Sequence, residues 1–166
     1  MGGREFYVLF RQDWQNWNRS LLKSMSGKKV RLDFTVGDTI GLVSFSMLDQ
    51  DLPIIHGTHE DELARGVGHH QATALSGEGK QTLLSGHRDS VFRNLGKLEL
   101  GDIVEVVLPY GEFRYEITDT YIVDADDRTV IDSTIDTEIL TISTCYPFSF
   151  IGPAPDRYII EAVPLD

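Results

Sequence analysis

A chain of 166 residues with 41% hydrophobic and 25% charged residues holds enough material for one domain around a single core. Its formal net charge of −11 argues against a broad basic face for nucleic acid, because phosphates are met by Lys and Arg. No apolar run reaches the roughly 20 residues of a membrane-spanning helix, and one cysteine excludes an internal disulfide scaffold while fitting either redox compartment.

The opening stretch places Phe6, Leu9, Phe10, Trp14, Trp17, Leu21 and Leu22 at helical spacing. That pattern predicts an amphipathic helix within residues 1–29. Met1-Gly2-Gly3 reads as an artificial start, so the lack of a signal peptide says little about location. From Val30 onward the pattern changes to short β-type runs, and residues 30–166 are expected to form the single folded domain.

Thr39–Phe45, Leu52–His56 and Thr82–Ser85 are the first expected strands. Between them, Glu60–Arg65 predicts one helical turn or two. Ser90–Leu95 predicts a short helix ended by Gly96. Asp102–Leu108 and Glu112–Val123 flank Pro109-Tyr110-Gly111 as a β-hairpin, with Phe113, Tyr115 and Ile117 alternating against Arg114, Glu116 and Thr118. Glu138–Cys145 and Asp156–Val163 supply two further strands, and Asp124–Asp136 reads as an acidic, turn-rich, solvated connection. About eight strands at this spacing indicate an all-β barrel or sandwich with small helical insertions.

The candidate chemistry is sparse. Gly77-Glu-Gly-Lys-Gln-Thr fails as a phosphate loop, because Ala74 and Gln81 stand where glycine and Ser/Thr are needed; it reads as a turn. His56, His59, His69 and His70 suggest a ligand set, but adjacent strand residues face opposite ways, so His69 and His70 are poorly placed to share one ion. The Asp124–Asp136 carboxylates lack the spacing of a calcium loop.

Cys145 lies in TISTCYPF. Taken alone, packing is the better account of a single apolar thiol. His87 in LLSGHRDS follows a strand and a glycine, where side chains can face a cleft. Arg157 in APDRYII opens the last strand with a permanent charge and several donors. Each is unremarkable singly. Together they supply nucleophile, acid/base and charge stabiliser for acyl transfer.

These segments resemble one known family. LTISTCYPF is similar to the TLxTC signature of sortases, with Ile142 for leucine. SGHRD and APDRYI match the other two parts of the sortase active site. GVGHH followed by ATALSGEGK is similar to the family's GxGH segment, with Ser76 where proline is usual. The likeness runs from about Val36 to Val163. TCYPF, APDRYI and SGHRD-x-VFRNLG are most similar to class D sortases.

The resemblance implies a closed eight-stranded sortase β-barrel on the outer face of a bacterial membrane, tethered by an N-terminal anchor upstream. It implies a cysteine transpeptidase that cleaves an LPxTG-like sorting signal after threonine and passes the acyl group to a cell-wall amine. In that scheme Cys145 attacks, His87 moves the proton, and Arg157 holds substrate backbone and oxyanion. Thr144 and the backbone N–H of Tyr146 are further candidate oxyanion or substrate contacts, and Asp89 is left structural. Ser76 is expected to loosen its turn. No cofactor is implied, and nothing indicates dependence on a divalent cation. Two rivals are carried: a hydrolytic thiol peptidase, and a non-catalytic peptide-binding barrel with Cys145 as filler.

Overall fold

The structure, a computed structural model, describes residues 34–88, 91–146 and 155–165, without the side chains of Cys145 and Tyr146. The helix expected within residues 1–29, and with it the boundary to the main domain, lies outside the described residues, as does Asp89.

Eight strands close into a barrel. They are β1 (Thr39–Phe45), β2 (Gln50–His56), β3 (Val67–His69), β4 (Gln81–Gly86), β5 (Ile103–Leu108), β6 (Gly111–Asp124), β7 (Ile139–Tyr146) and β8 (Asp156–Pro164). The order around the barrel is β1-β2-β3-β4-β7-β8-β6-β5, and β5 pairs back to β1. Closure leaves no unpaired sheet edge. Two pairs are parallel, β2 with β3 and β4 with β7; the rest are antiparallel. A parallel pair needs a long crossover. The first crossover carries the helix α1 (Glu60–Leu63), a single turn of the one or two expected.

Strand alternation fills the interior. Leu84, Leu140, Ile142, Ile160 and Ala162 join Phe45, Val104, Val106, Tyr115 and Ile117 in one core. Alternate residues on the same strands face outward, yet Leu83, Thr141 and Ile159 are also buried. The connection of residues 125–138, expected to be merely solvated, lies over that outer face. The 108–111 hairpin turn is as expected, with Leu108 paired to Gly111.

Three expectations are corrected. Val67–His69 forms β3, which at three residues is too short to show strand periodicity. The helix expected over Ser90–Leu95 is not formed at its described positions: Val91–Asn94 are turn residues, and a 3₁₀ turn begins at Leu95 and runs to Lys97. Val91, Phe92 and Leu95 are all buried, so packing on the barrel overrides a helical reading. Ser76 does not loosen its turn. Its buried Oγ accepts the Tyr115 hydroxyl proton at 2.8 Å, and Glu138 Oε1 accepts the N–H groups of Gly77 and Gly79.

Candidate active site

The three strands β4, β7 and β8 lie side by side, and their register gathers the chemistry. Gly86 pairs with Thr144, so His87, one residue beyond, is level with Cys145. Cys145 in turn pairs with Arg157 across the β7–β8 ladder. Three segments that are separate in sequence thus meet at one end of the barrel. His87 and Arg157 line a common cleft of about 520 Å³, together with Thr144, Ser85 and His70. The side chain of Cys145 lies outside the described residues, so its backbone position carries its placement.

The chain around His87 is braced from below. A Cβ on Gly86 would lie 2.6 Å from the Phe92 ring, so only glycine lets that ring pack under the strand end. Phe92 meets Phe45 edge-on, with centroids 6.0 Å apart at 87°, a favourable aromatic geometry. The Phe92 N–H donates to the His87 carbonyl at 3.0 Å. Truncating a buried phenylalanine of this kind costs about 3–5 kcal/mol. Thr144 is 2% exposed, and its hydroxyl donates to the Gly86 carbonyl at 2.8 Å. That proton is committed, so Thr144 as placed ties β7 to β4 beneath His87. Tyr146 ends β7 opposite Asp156.

The His87 side chain is 34% exposed, and its Nε2 lies 3.9 Å from Glu60 Oε2 on α1. Sequence reasoning missed Glu60, since nothing in a one-turn helix points to a partner 27 residues away. In the sequence His70 stands out only as a candidate metal ligand. It instead faces the cleft, with Nε2 3.0 Å from Ser85 Oγ, and burial lowers its pKa.

The adjacent His69 faces the other way, as strand alternation predicts. Its Nε2–H donates to the Ala74 carbonyl at 2.9 Å, because a carbonyl can only accept. Its Nδ1 is therefore the acceptor of the 3.1 Å contact with His56 Nδ1, and His56 is the donor. The two rings stack with centroids 5.2 Å apart. Burial pushes His69 down to about 4, while the Ala74 carbonyl opposes that shift. Among the described residues no group of three or more His, Cys, Asp or Glu is placed to hold a metal ion.

A family model for the sortase domain matches residues 44–165. The chain belongs to the sortase family. Sortase D of Bacillus subtilis is 48% identical over 124 residues, which are 75% of this chain and 63% of that protein. The match thus spans less than two thirds of that relative's length, and the class D likeness is borne out. Among solved structures, a Clostridium perfringens Sortase D5 transpeptidase is similar at a TM-score of 0.74 and 26% identity, covering 99% of this chain and 94% of that one. A pilus-related Sortase C of Group B Streptococcus aligns at a TM-score of 0.71 and 21% identity, over 99% of this chain and 96% of that one. At that identity the second likeness bears on the fold, and it agrees with the closed eight-stranded barrel of this sortase.

Proposed function

We propose that this sortase is a cysteine transpeptidase that cleaves an LPxTG-like sorting signal after threonine and transfers the carried protein to a cell-wall amine. One observation carries the reading: the β4–β7–β8 register sets Cys145, His87 and Arg157 level on adjacent strands. The reactive pair is a Cys145 thiolate with a His87 imidazolium. The thiolate attacks the threonine carbonyl, and the Arg157 guanidinium stabilises the oxyanion that develops. As the tetrahedral intermediate collapses, the C–N bond breaks and His87 gives its proton to the departing amine. A thioester on Cys145 remains. The incoming amine attacks it, loses a proton to His87, and expels the thiolate, restoring the starting pair.

The substrates are surface proteins bearing the signal, and the acceptor is an amine of the cell-wall precursor, at the outer face of a bacterial membrane. Anchorage there belongs to a segment upstream of the described barrel; among the described residues no helix is long and apolar enough to cross a membrane. No cofactor enters the scheme. Tyr146 N–H is a further candidate oxyanion donor at the end of β7.

The test is turnover of an LPxTG-type peptide with and without an added amine, followed by mass spectrometry. A thioacyl adduct on Cys145 and an amine-ligated product are expected, and Cys145→Ala should abolish both. Hydrolysis alone, unaffected by amine, would point to a thiol peptidase. Turnover that survives Cys145→Ala would exclude the thiol mechanism.

A further inference from the structure

Beside the reacting groups, the floor of the cleft carries a polar pair that acyl transfer does not use. Leu83 and Ser85 of β4 and His87 just beyond it are alternate residues, and all three line the cleft. Ser85 pairs with Ser143 of β7, which lines the cleft too, so two hydroxyls stand side by side on strands about 4.8 Å apart. On its other side Ser85 pairs with Gly68 of β3, which has no side chain. The His70 ring reaches across from the diagonal position and sets Nε2 3.0 Å from Ser85 Oγ. Its backbone is held on both sides: the His70 N–H donates to the Leu83 carbonyl at 3.0 Å, and the His70 carbonyl accepts from the Thr73 hydroxyl at 2.8 Å.

Burial lowers the pKa of His70, so near neutral pH its ring is uncharged, with one N–H and one bare nitrogen. If Nε2 carries the hydrogen, it donates to Ser85 Oγ and leaves that hydroxyl to donate into the cleft. In the other tautomer Ser85 donates to Nε2, and its oxygen accepts from the cleft. With the Ser143 hydroxyl beside it, the floor offers a donor and an acceptor together. A side-chain carboxamide matches both, with an oxygen and an NH₂ on one carbon. Spacing gives the position along the signal. Ser85 is two residues from His87, about 6.7 Å of strand, so an extended peptide with its threonine carbonyl at Cys145 lays a residue within two positions of threonine over Ser85. In an LPxTG-like signal the proline and glycine there have no polar side chain, and the variable residue is left.

We propose that His70 and Ser85, with Ser143, form a subsite that reads the variable residue of the signal and favours asparagine or glutamine there. The inference rests on the transpeptidase reading above and names a preference within its substrate class. The test is kcat/KM for LPxTG-type peptides that differ only at the variable residue, with asparagine, glutamine, alanine or leucine. The unaltered protein should favour the better carboxamide peptide over the alanine peptide by about tenfold, through hydrogen bonds formed in a half-open site. Ser85→Ala removes the hydroxyl, and His70→Phe keeps a ring without its nitrogens. Either should bring the carboxamide-to-alanine ratio to within about threefold of unity. The double variant should lose little more than either single one, because the two groups act as a unit.

An unaltered protein that cleaves the alanine peptide as well as both carboxamide peptides would overturn the inference. So would a folded variant that keeps the full ratio; should His70→Phe fail to fold, the smaller change Ser85→Ala decides alone. Equal losses with every peptide, at an unchanged ratio, would make the pair structural and the inference wrong. A parent protein that cleaves no peptide of the panel would overturn the transpeptidase reading itself, a different result, and the inference would fall with it.

Discussion

Two pairs of histidines, only a strand apart, show what separates a structural imidazole from one available for chemistry. His56 and His69 stack between β2 and β3 with their facing nitrogens bonded to each other and His69 bonded on to Ala74. Both ring nitrogens of His69 have protein partners, and burial favours the neutral form of both rings. His87 is one-third exposed, opens onto a cleft and has an exposed carboxylate, Glu60, at 3.9 Å. On the proposed mechanism it exchanges a proton with the substrate. His70 is intermediate, in the cleft but bonded to Ser85. Residue type does not distinguish them; saturation of hydrogen bonds and access to solvent do.

The sharpest way to break this contrast is His87→Ala. On the proposed mechanism it should lower kcat/KM for an LPxTG-type peptide by about 10²–10⁴-fold, with the unfolding midpoint in denaturant nearly unmoved. A large loss of stability instead would make His87 structural like its neighbours.

Buried His69 should behave oppositely, through stability and pH. His69 titrates at about 4 in the fold and near 6.5 when unfolded. Between those values the unfolded chain binds the proton and the folded one does not. Stability from this group is therefore complete above pH 6.5, is lost as pH falls toward 4, and changes little below that. The size is about 3 kcal/mol at roughly 1.4 kcal/mol per unit. His56 and His70 are lowered too and act in the same sense. Asp127 and Asp132, with pKa values lowered mainly by bonds from Thr129 and Thr134, titrate below this window. Urea unfolding at pH 7, 5.5 and 4 measures the slope, and His69→Asn should flatten it. An unchanged slope would show that other groups carry the pH dependence.

The smallest effect belongs to Glu60→Gln. An exposed pair at 3.9 Å is worth about 0–1 kcal/mol and is screened by salt. The variant should change kcat/KM by less than about fivefold in low salt, and the difference should vanish near 1 M salt. A larger, salt-resistant loss would give Glu60 a direct part in the reaction.

Much of the barrel was legible along the chain. The long alternating run around Tyr115 and the apolar runs of β1, β7 and β8 write their own period. β3 was missed because three residues carry no period, and the turn at Val91–Asn94 was read as helix because buried Val91, Phe92 and Leu95 follow a spacing that packing on Gly86 can also produce. In the sequence Gln81 stands out only as the wrong residue for a phosphate loop. Its three side-chain hydrogen bonds, to Val130, Asp132 and Thr141, run to residues 49 to 60 positions away, and no local pattern announces such a partner.

The sequence alone determined the β-rich class, the family through four motifs in order, and the identities of Cys145, His87 and Arg157 as candidates. Only the tertiary structure decided that their backbones are level where β4, β7 and β8 run side by side, that His69 is bonded on both ring nitrogens while His87 opens onto the cleft, and that an acidic loop is a wall of that cleft. The physical reason is that side-chain period and motif chemistry are local, written over a few residues. Register, burial and hydrogen-bond saturation are set between strands remote in sequence, and these govern whether a polar group can react.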